Sequence, residues 1–214
     1  MNDPWDRMRT LNPGFGRKRF SQTEVRDIII SVAVLSIAFF IILYRGSNIF
    51  PNDAAANTAA ILGLSFLLVV LSFMVHELAH KVVAQKYGAR AEFRAYPQGL
   101  LIALVFAILF GFLFAAPGAV YIEGAIDRER NGKISAAGPA SNMIIAAVAW
   151  AMWFVTDGIL SDIFLMFAFV NAFFAVFNLL PIPPMDGSKV YPWNVPVYVI
   201  MFAVSVAMLI PQFI

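Results

Sequence analysis

Ala59-Ala60-Ile61-Leu62-Gly63-Leu64-Ser65-Phe66-Leu67-Leu68-Val69-Val70-Leu71-Ser72-Phe73-Met74-Val75 runs directly into His76-Glu77-Leu78-Ala79-His80, and these are the chain's only two histidines. Residues four apart on an α-helix lie on one face about one turn apart, so both imidazoles can reach a single divalent ion. Glu77 sits about 100° further round the helix from His76. Its carboxylate is then beside the ion, able to hold a water and take its proton. A polar knot bonding neighbouring helices is the bland use of such residues. Inside an apolar helix that use is expensive, at roughly 2.5–3.5 kcal/mol for a central charge, and the cost favours a functional site.

Outward from this stretch the composition points the same way. Of 214 residues 61% are hydrophobic and 13% charged, and the mean hydropathy is +0.78, which is the profile of an integral membrane protein. The formal net charge is only +2, so the basic pI near 9.0 implies no nucleic-acid partner. With no cysteine, disulfides, a thiol nucleophile and thiolate metal ligands are excluded. Any metal is bound by nitrogen and oxygen.

Residues 1–27 are hydrophilic and carry Arg7, Arg9, Arg17, Lys18, Arg19 and Arg26. This is not the short basic start and small-residue cleavage site of a signal peptide, so Ile28–Tyr44 reads as a retained first membrane helix behind a basic cytoplasmic arm that touches the lipid surface. The loop from Arg45 to about Thr58 has no further lysine or arginine and reads as extracytoplasmic. The motif helix runs from about Ala59 to Tyr87 and stops at Gly88. Lys81, Lys86, Arg90 and Arg94 follow the motif, placing His76 about 25 Å from the outer end of its helix, within the bilayer but nearer the cytoplasm.

Ala91–Tyr96 alternates and stops at Pro97, as a short strand does. The apolar run Gly99–Ala116 is flanked on both sides by basic residues, including Arg128, Arg130 and Lys133. A single crossing conflicts with those charges. Either the segment re-enters, or the loop lies outside against the rule. Ala119–Gly124 and Lys133–Ser135 read as short strands around a charged Asn131-Gly132 turn. Helices then run from near Ser135 to Val155, from Ile163 to Leu180 and from Val197 to Ile210. The fold class is all-α and polytopic, with about five to six transmembrane helices and a small β element near the cytoplasmic side of the site. Residues 28–214 form one membrane domain, with its core at about 59–190.

A catalytic zinc takes three protein ligands and keeps one position for water. Without a third histidine the remaining ligand is a carboxylate. Asp53, Asp157 and Asp162 fall on the wrong side, and Asp127 and Glu129 sit in a solvated turn. Glu92 and Glu123 belong to strands beside basic residues. Asp186 is selected by its depth near His80 and by Pro181, Pro183 and Pro184, which break the helix where freed backbone groups need a polar cavity. An ordinary helix-capping aspartate is the alternative. Asn178, one turn before the prolines, can donate to a substrate carbonyl or developing oxyanion, or bond the carbonyls that the prolines free.

His76-Glu77-Leu78-Ala79-His80, Gly138-Pro139-Ala140-Ser141-Asn142 and Asn178-Leu179-Leu180-Pro181 leading to Met185-Asp186-Gly187, in this order, together resemble the site-2 protease family of intramembrane zinc metalloproteases, most of all its archaeal members. The resemblance implies one Zn²⁺ per chain on His76, His80 and Asp186, with Glu77 activating water and Asn178 assisting at the scissile carbonyl. Asn142 is a candidate substrate contact. The implied substrates are transmembrane proteins, cut within the lipid bilayer of the cell membrane during regulated proteolysis. Gly99–Ala116 looks like an addition to the minimal family core, and no soluble regulatory domain is expected. Rival readings are a metal transporter and a zinc-binding membrane protein without proteolytic activity. A transporter spreads polar groups along a path, often in repeated halves, whereas here they gather at one depth.

Overall fold

Runs of apolar residues fold as helices throughout the computed structural model, which describes residues 20–46, 49–50, 52–113 and 117–210. The elements are α1 (Gln22–Gly46), α2 (Ala54–Leu68), a π-helical segment (Val69–Met74), α3 (Val75–Lys86), β1 (Arg90–Ala95), α4 (Pro97–Phe110), β2 (Gly118–Glu123), α5 (Arg128–Trp153), α6 (Gly158–Asn178), α7 (Gly187–Trp193) and α8 (Val195–Ala207). Among the described residues, four helices are long and apolar enough to cross a membrane: Gln22–Gly46, Ala54–Lys86, Arg128–Trp153 and Gly158–Asn178. Their outer faces expose Ile29, Leu62, Ile144 and Leu160. Contiguous apolar faces of this kind are a liability in water and a solvent match in lipid. Most of the expected basic arm, residues 1–19, lies outside the described residues, as does the end of the Gly99–Ala116 run.

The described residues divide into two compact units. In the first, residues 21–74 and 93–119, α1 packs against α2 and α4. Helix α1 begins at Gln22, six residues before the apolar run, because the Ser21 hydroxyl accepts the Glu24 amide as an N-terminal cap does. That extra turn carries two buried carboxylates, Glu24 and Asp27. The Glu24 carboxylate accepts the Phe93 backbone amide at 2.9 Å and that of Asp27 the Ala95 amide at 3.4 Å. The amide of Tyr96, one residue on, is taken by the Pro117 carbonyl at 3.0 Å. Alternate amides of a strand point to opposite edges, so β1 pairs with β2 on one edge and is closed by α1 on the other. That second edge of β1 is therefore not free to pair with a further strand.

Helix α2 likewise starts earlier than the hydropathy suggests. Asp53 accepts the Ala56 amide at 2.9 Å and caps the helix, absorbing Ala54–Thr58. Helix α4 has 14 residues and a left-handed Gly111 at its end (φ 70°). It rises about 21 Å, well short of the roughly 30 Å hydrocarbon core.

The second unit comprises residues 75–92 and 120–210 together with Phe20. Here α3 packs against α5, α5 against α6 and α7, and α8 against α6 and α7. Ala84, Ala89, Ala91 and Ile134 form its buried apolar cluster, with Tyr87 and Val120 packed against them. Residues Lys133–Ser135, expected as a strand, are helical, and α5 begins at Arg128 rather than near Ser135. Asp127 supplies the start by accepting the Arg130 amide at 2.7 Å, and Glu129 pairs with Lys133 one turn on. Local capping thus outweighs the turn signal of Asn131-Gly132. Gly132 has its own reason: a β-carbon there would lie 2.3 Å from the Trp193 side chain.

Candidate metal centre

The π-helical segment Val69–Met74 ends where α3 begins, and α3 carries His76, Glu77 and His80 in its first turns. Such segments recur beside functional sites. The imidazoles stand nearly perpendicular, with ring centroids 4.7 Å apart at 84°. Their Nε2 atoms are 3.0 Å apart. Asp186 Oδ2 completes a triangle, at 3.3 Å from His76 Nε2 and 3.2 Å from His80 Nε2. All three side chains are buried. Asp186 opens α7 yet makes no side-chain capping bond, so the capping alternative does not describe it. It follows the break after α6 at Pro181, Pro183 and Pro184.

The hydrogen bonds on the far side of each ring decide what the triangle can hold. His76 Nδ1 lies 2.6 Å from Asn142 Oδ1, and His80 Nδ1 lies 2.8 Å from the Ile134 carbonyl oxygen. Both partners accept, so in neutral imidazoles both Nδ1 atoms carry the proton and both Nε2 atoms carry lone pairs. Two nitrogen lone pairs and a carboxylate then face one point, an arrangement that repels itself unless a cation sits between them. The edges of 3.0, 3.2 and 3.3 Å approach the roughly 3.3 Å between ligands of a tetrahedral zinc with bonds of about 2.0–2.1 Å. Gly138 of α5 provides the room. A β-carbon there would come within 2.4 Å of His80 Nε2 and 2.6 Å of His76 Nε2, inside the volume the ion needs. The donor set, the spacing and the cradle all fit zinc.

Glu77 is buried beside the two histidines, and the Val120 backbone amide of β2 faces its carboxylate.

Over 179 residues the chain is 41% identical to "Putative zinc metalloprotease MJ0611" of Methanocaldococcus jannaschii, an alignment covering 82% of this chain and 87% of that one. The chain belongs to the site-2 protease family of zinc metalloproteases. This protease is also 28% identical over 136 residues to "Zinc metalloprotease MJ0392" of the same organism, covering 63% of its own length and 35% of the relative's. It is 30% identical over 136 residues to "Putative zinc metalloprotease Rip3" of Mycobacterium tuberculosis, covering 60% of its length and 30% of the relative's. It therefore spans about a third of these two longer relatives. No family model and no solved structure matches it. The cofactor of the family is zinc, and the buried His76, His80 and Asp186 of this protease form a group able to hold it.

The two asparagines singled out in the sequence have different surroundings. Asn142 is fully buried, with its Oδ1 at His76 and its Nδ2 donating to Asn171 Oδ1 at 2.9 Å. Asn178 is part-buried at the end of α6 and donates to the Phe174 carbonyl at 2.9 Å, one turn back on its own helix. Sequence reasoning passed over Asn171, also fully buried. It is the one polar residue between Ile163 and Phe177, and a lone amide in an apolar span is a signal in itself. Gly138, quoted above as part of a motif, makes its close approach to the imidazoles.

Proposed function

We propose that the protein is an intramembrane zinc endopeptidase that hydrolyses peptide bonds of membrane-spanning substrate helices. The observation that carries the reading is the convergence of two imidazole lone pairs, from a helix whose apolar length suits a bilayer, with the Asp186 carboxylate, and with a glutamate beside them. Zinc at that point supplies Lewis acidity toward a water and the scissile carbonyl. Glu77 takes the proton of the attacking water and returns it to the leaving amine. Its burial keeps the carboxylate away from bulk solvent. Asn178 turns its amide toward the scissile carbonyl when substrate is bound, giving up its bond to Phe174.

A peptide bond within a helix is shielded by its own hydrogen bonds, so the substrate unwinds before it is cut. With one edge of β1 taken by Glu24 and Asp27, strand addition falls to β2, whose Val120 amide faces Glu77. The N-terminus lies in the cytoplasm of a multi-pass cell-membrane protein with five to six membrane-embedded helices, and the metal lies nearer the cytoplasmic face. The short α4 is re-entrant or shallow.

The test is cleavage of a pool of single-span membrane proteins by the purified protein in liposomes. Cleavage that stops on chelation and returns with zinc supports the reading. Zinc uptake into the liposome interior without cleavage supports a transporter and rejects it.

A further inference from the structure

We propose that Asn171, which is not a member of the metal triangle, is a positioning residue that sets which nitrogen of His76 faces the zinc. The inference rests on the zinc-site reading above and concerns a chain of three hydrogen bonds with one fixed end. The Phe167 carbonyl can only accept, so the group of Asn171 that meets it at 2.9 Å is the amide Nδ2. Asn171 Oδ1 is thereby turned to Asn142, and it accepts the Asn142 Nδ2 at 2.9 Å. Asn142 Oδ1 is in turn presented to His76 Nδ1 at 2.6 Å. An acceptor at that distance requires the proton on Nδ1 and leaves the lone pair on Nε2, the atom of the metal triangle.

Each link is buried: Asn142 and Asn171 have no exposed surface and His76 is 5% exposed. Water does not scramble the order. His80 needs no such device, because its Nδ1 meets a backbone carbonyl, Ile134, directly. At His76 the acceptor is a side-chain amide, which can rotate by 180° and offer a donor instead. Asn171 removes that freedom. Once it is lost, an Asn142 turned the other way donates to Nδ1, moves the proton to Nε2 and takes His76 out of the ligand set.

The experiment measures zinc affinity of the purified full-length protein in detergent by competition with a chelator of known strength. His80→Ala first establishes that the measured zinc is the triangle's; zinc retained by that variant rejects the site itself. Asn171→Leu is expected to weaken binding about 10–100-fold, the usual effect of losing a partner that orients a metal-bound histidine. Asn171→Ala is measured beside it, since small residues pack readily between membrane helices. The deciding arm is Asn142→Asp in each of those backgrounds. A carboxylate accepts through both oxygens and has no wrong orientation, so it should restore affinity to within a few-fold of wild type. Zinc binding unchanged by both Asn171 substitutions overturns the proposal. A loss that Asn142→Asp does not reverse also overturns it, because a residue that merely joins two helices is not replaced by a carboxylate elsewhere. Nitrogen-15 labelling of the only two histidines adds a direct readout: the zinc-loaded wild type should show the His76 proton on Nδ1.

Discussion

Gly138 lies so close to His80 that a single methyl group on its α-carbon would stand 2.4 Å from the imidazole Nε2. A real contact there is impossible, and the His76 Nε2 at 2.6 Å closes the alternative direction. Gly138→Ala should therefore lose zinc with little change elsewhere. Alanine is otherwise the better helix former by about 1 kcal/mol, so helical content should hold while zinc per chain, measured by mass spectrometry, falls below a tenth of the wild-type value. A variant that loads one zinc with normal affinity would show that the ion is not cradled by this backbone.

Glu77→Gln separates base from ligand. The amide keeps the size of the side chain and leaves His76, His80 and Asp186 untouched, so zinc content should match wild type. Cleavage of a membrane substrate should drop by about 10²–10⁴, the range typical of a lost general base. Metal-dependent cleavage at near-normal rate by this variant would remove Glu77 from that role.

Asp186→Ala addresses the third ligand. It takes away the only carboxylate of the triangle and leaves two neutral imidazoles, too few donors for a stable three-ligand site. Zinc should wash out on dialysis against a weak chelator that the wild type resists. Asp186→Asn, which keeps the shape but not the charge, should fall between the two. Equal zinc in the alanine variant and the wild type would return the assignment to the other carboxylates.

The part of this site written in local sequence was legible, and the part written in three dimensions was not. His76 and His80 share a helix, so their spacing predicts their meeting. Asp186 could be reached only by elimination, since 106 positions separate it from His80, but the proline run beside it marked a chain break near the metal. Asn171 and the real task of Gly138 depend on how α5 and α6 pack, which no spacing rule encodes. Helix ends were misread for a different reason. Ser21, Asp53 and Asp127 cap helices through single hydrogen bonds, each outweighing hydropathy over several residues, and Glu24 and Asp27 fall within the stretch read as a basic arm while being buried against β1.

That burial makes a prediction about stability. Glu24→Ala removes the acceptor of the Phe93 amide, and a buried donor left without its partner costs about 1–3 kcal/mol. The thermal midpoint should fall, and the amide of Phe93 should exchange faster with deuterium. The same substitution leaves the metal triangle unaltered, so zinc affinity serves as the control. Unchanged exchange at Phe93 would mean that α1 does not close the strand.

Helix α4 allows the topology to be tested in a chain that is naturally free of cysteine. Its 14 residues rise about 21 Å, some 9 Å less than the hydrocarbon core, and basic residues flank it on both sides. A re-entrant or shallow segment puts both flanks on one face of the membrane. Single cysteines at Gln98 and Glu129, both exposed, should therefore react with a membrane-impermeant maleimide from the same side. In right-side-out vesicles both should be protected, and both should label once the vesicles are inverted. Labelling from opposite sides would make the segment a true crossing, with tilt or local thinning of the bilayer making up the missing length.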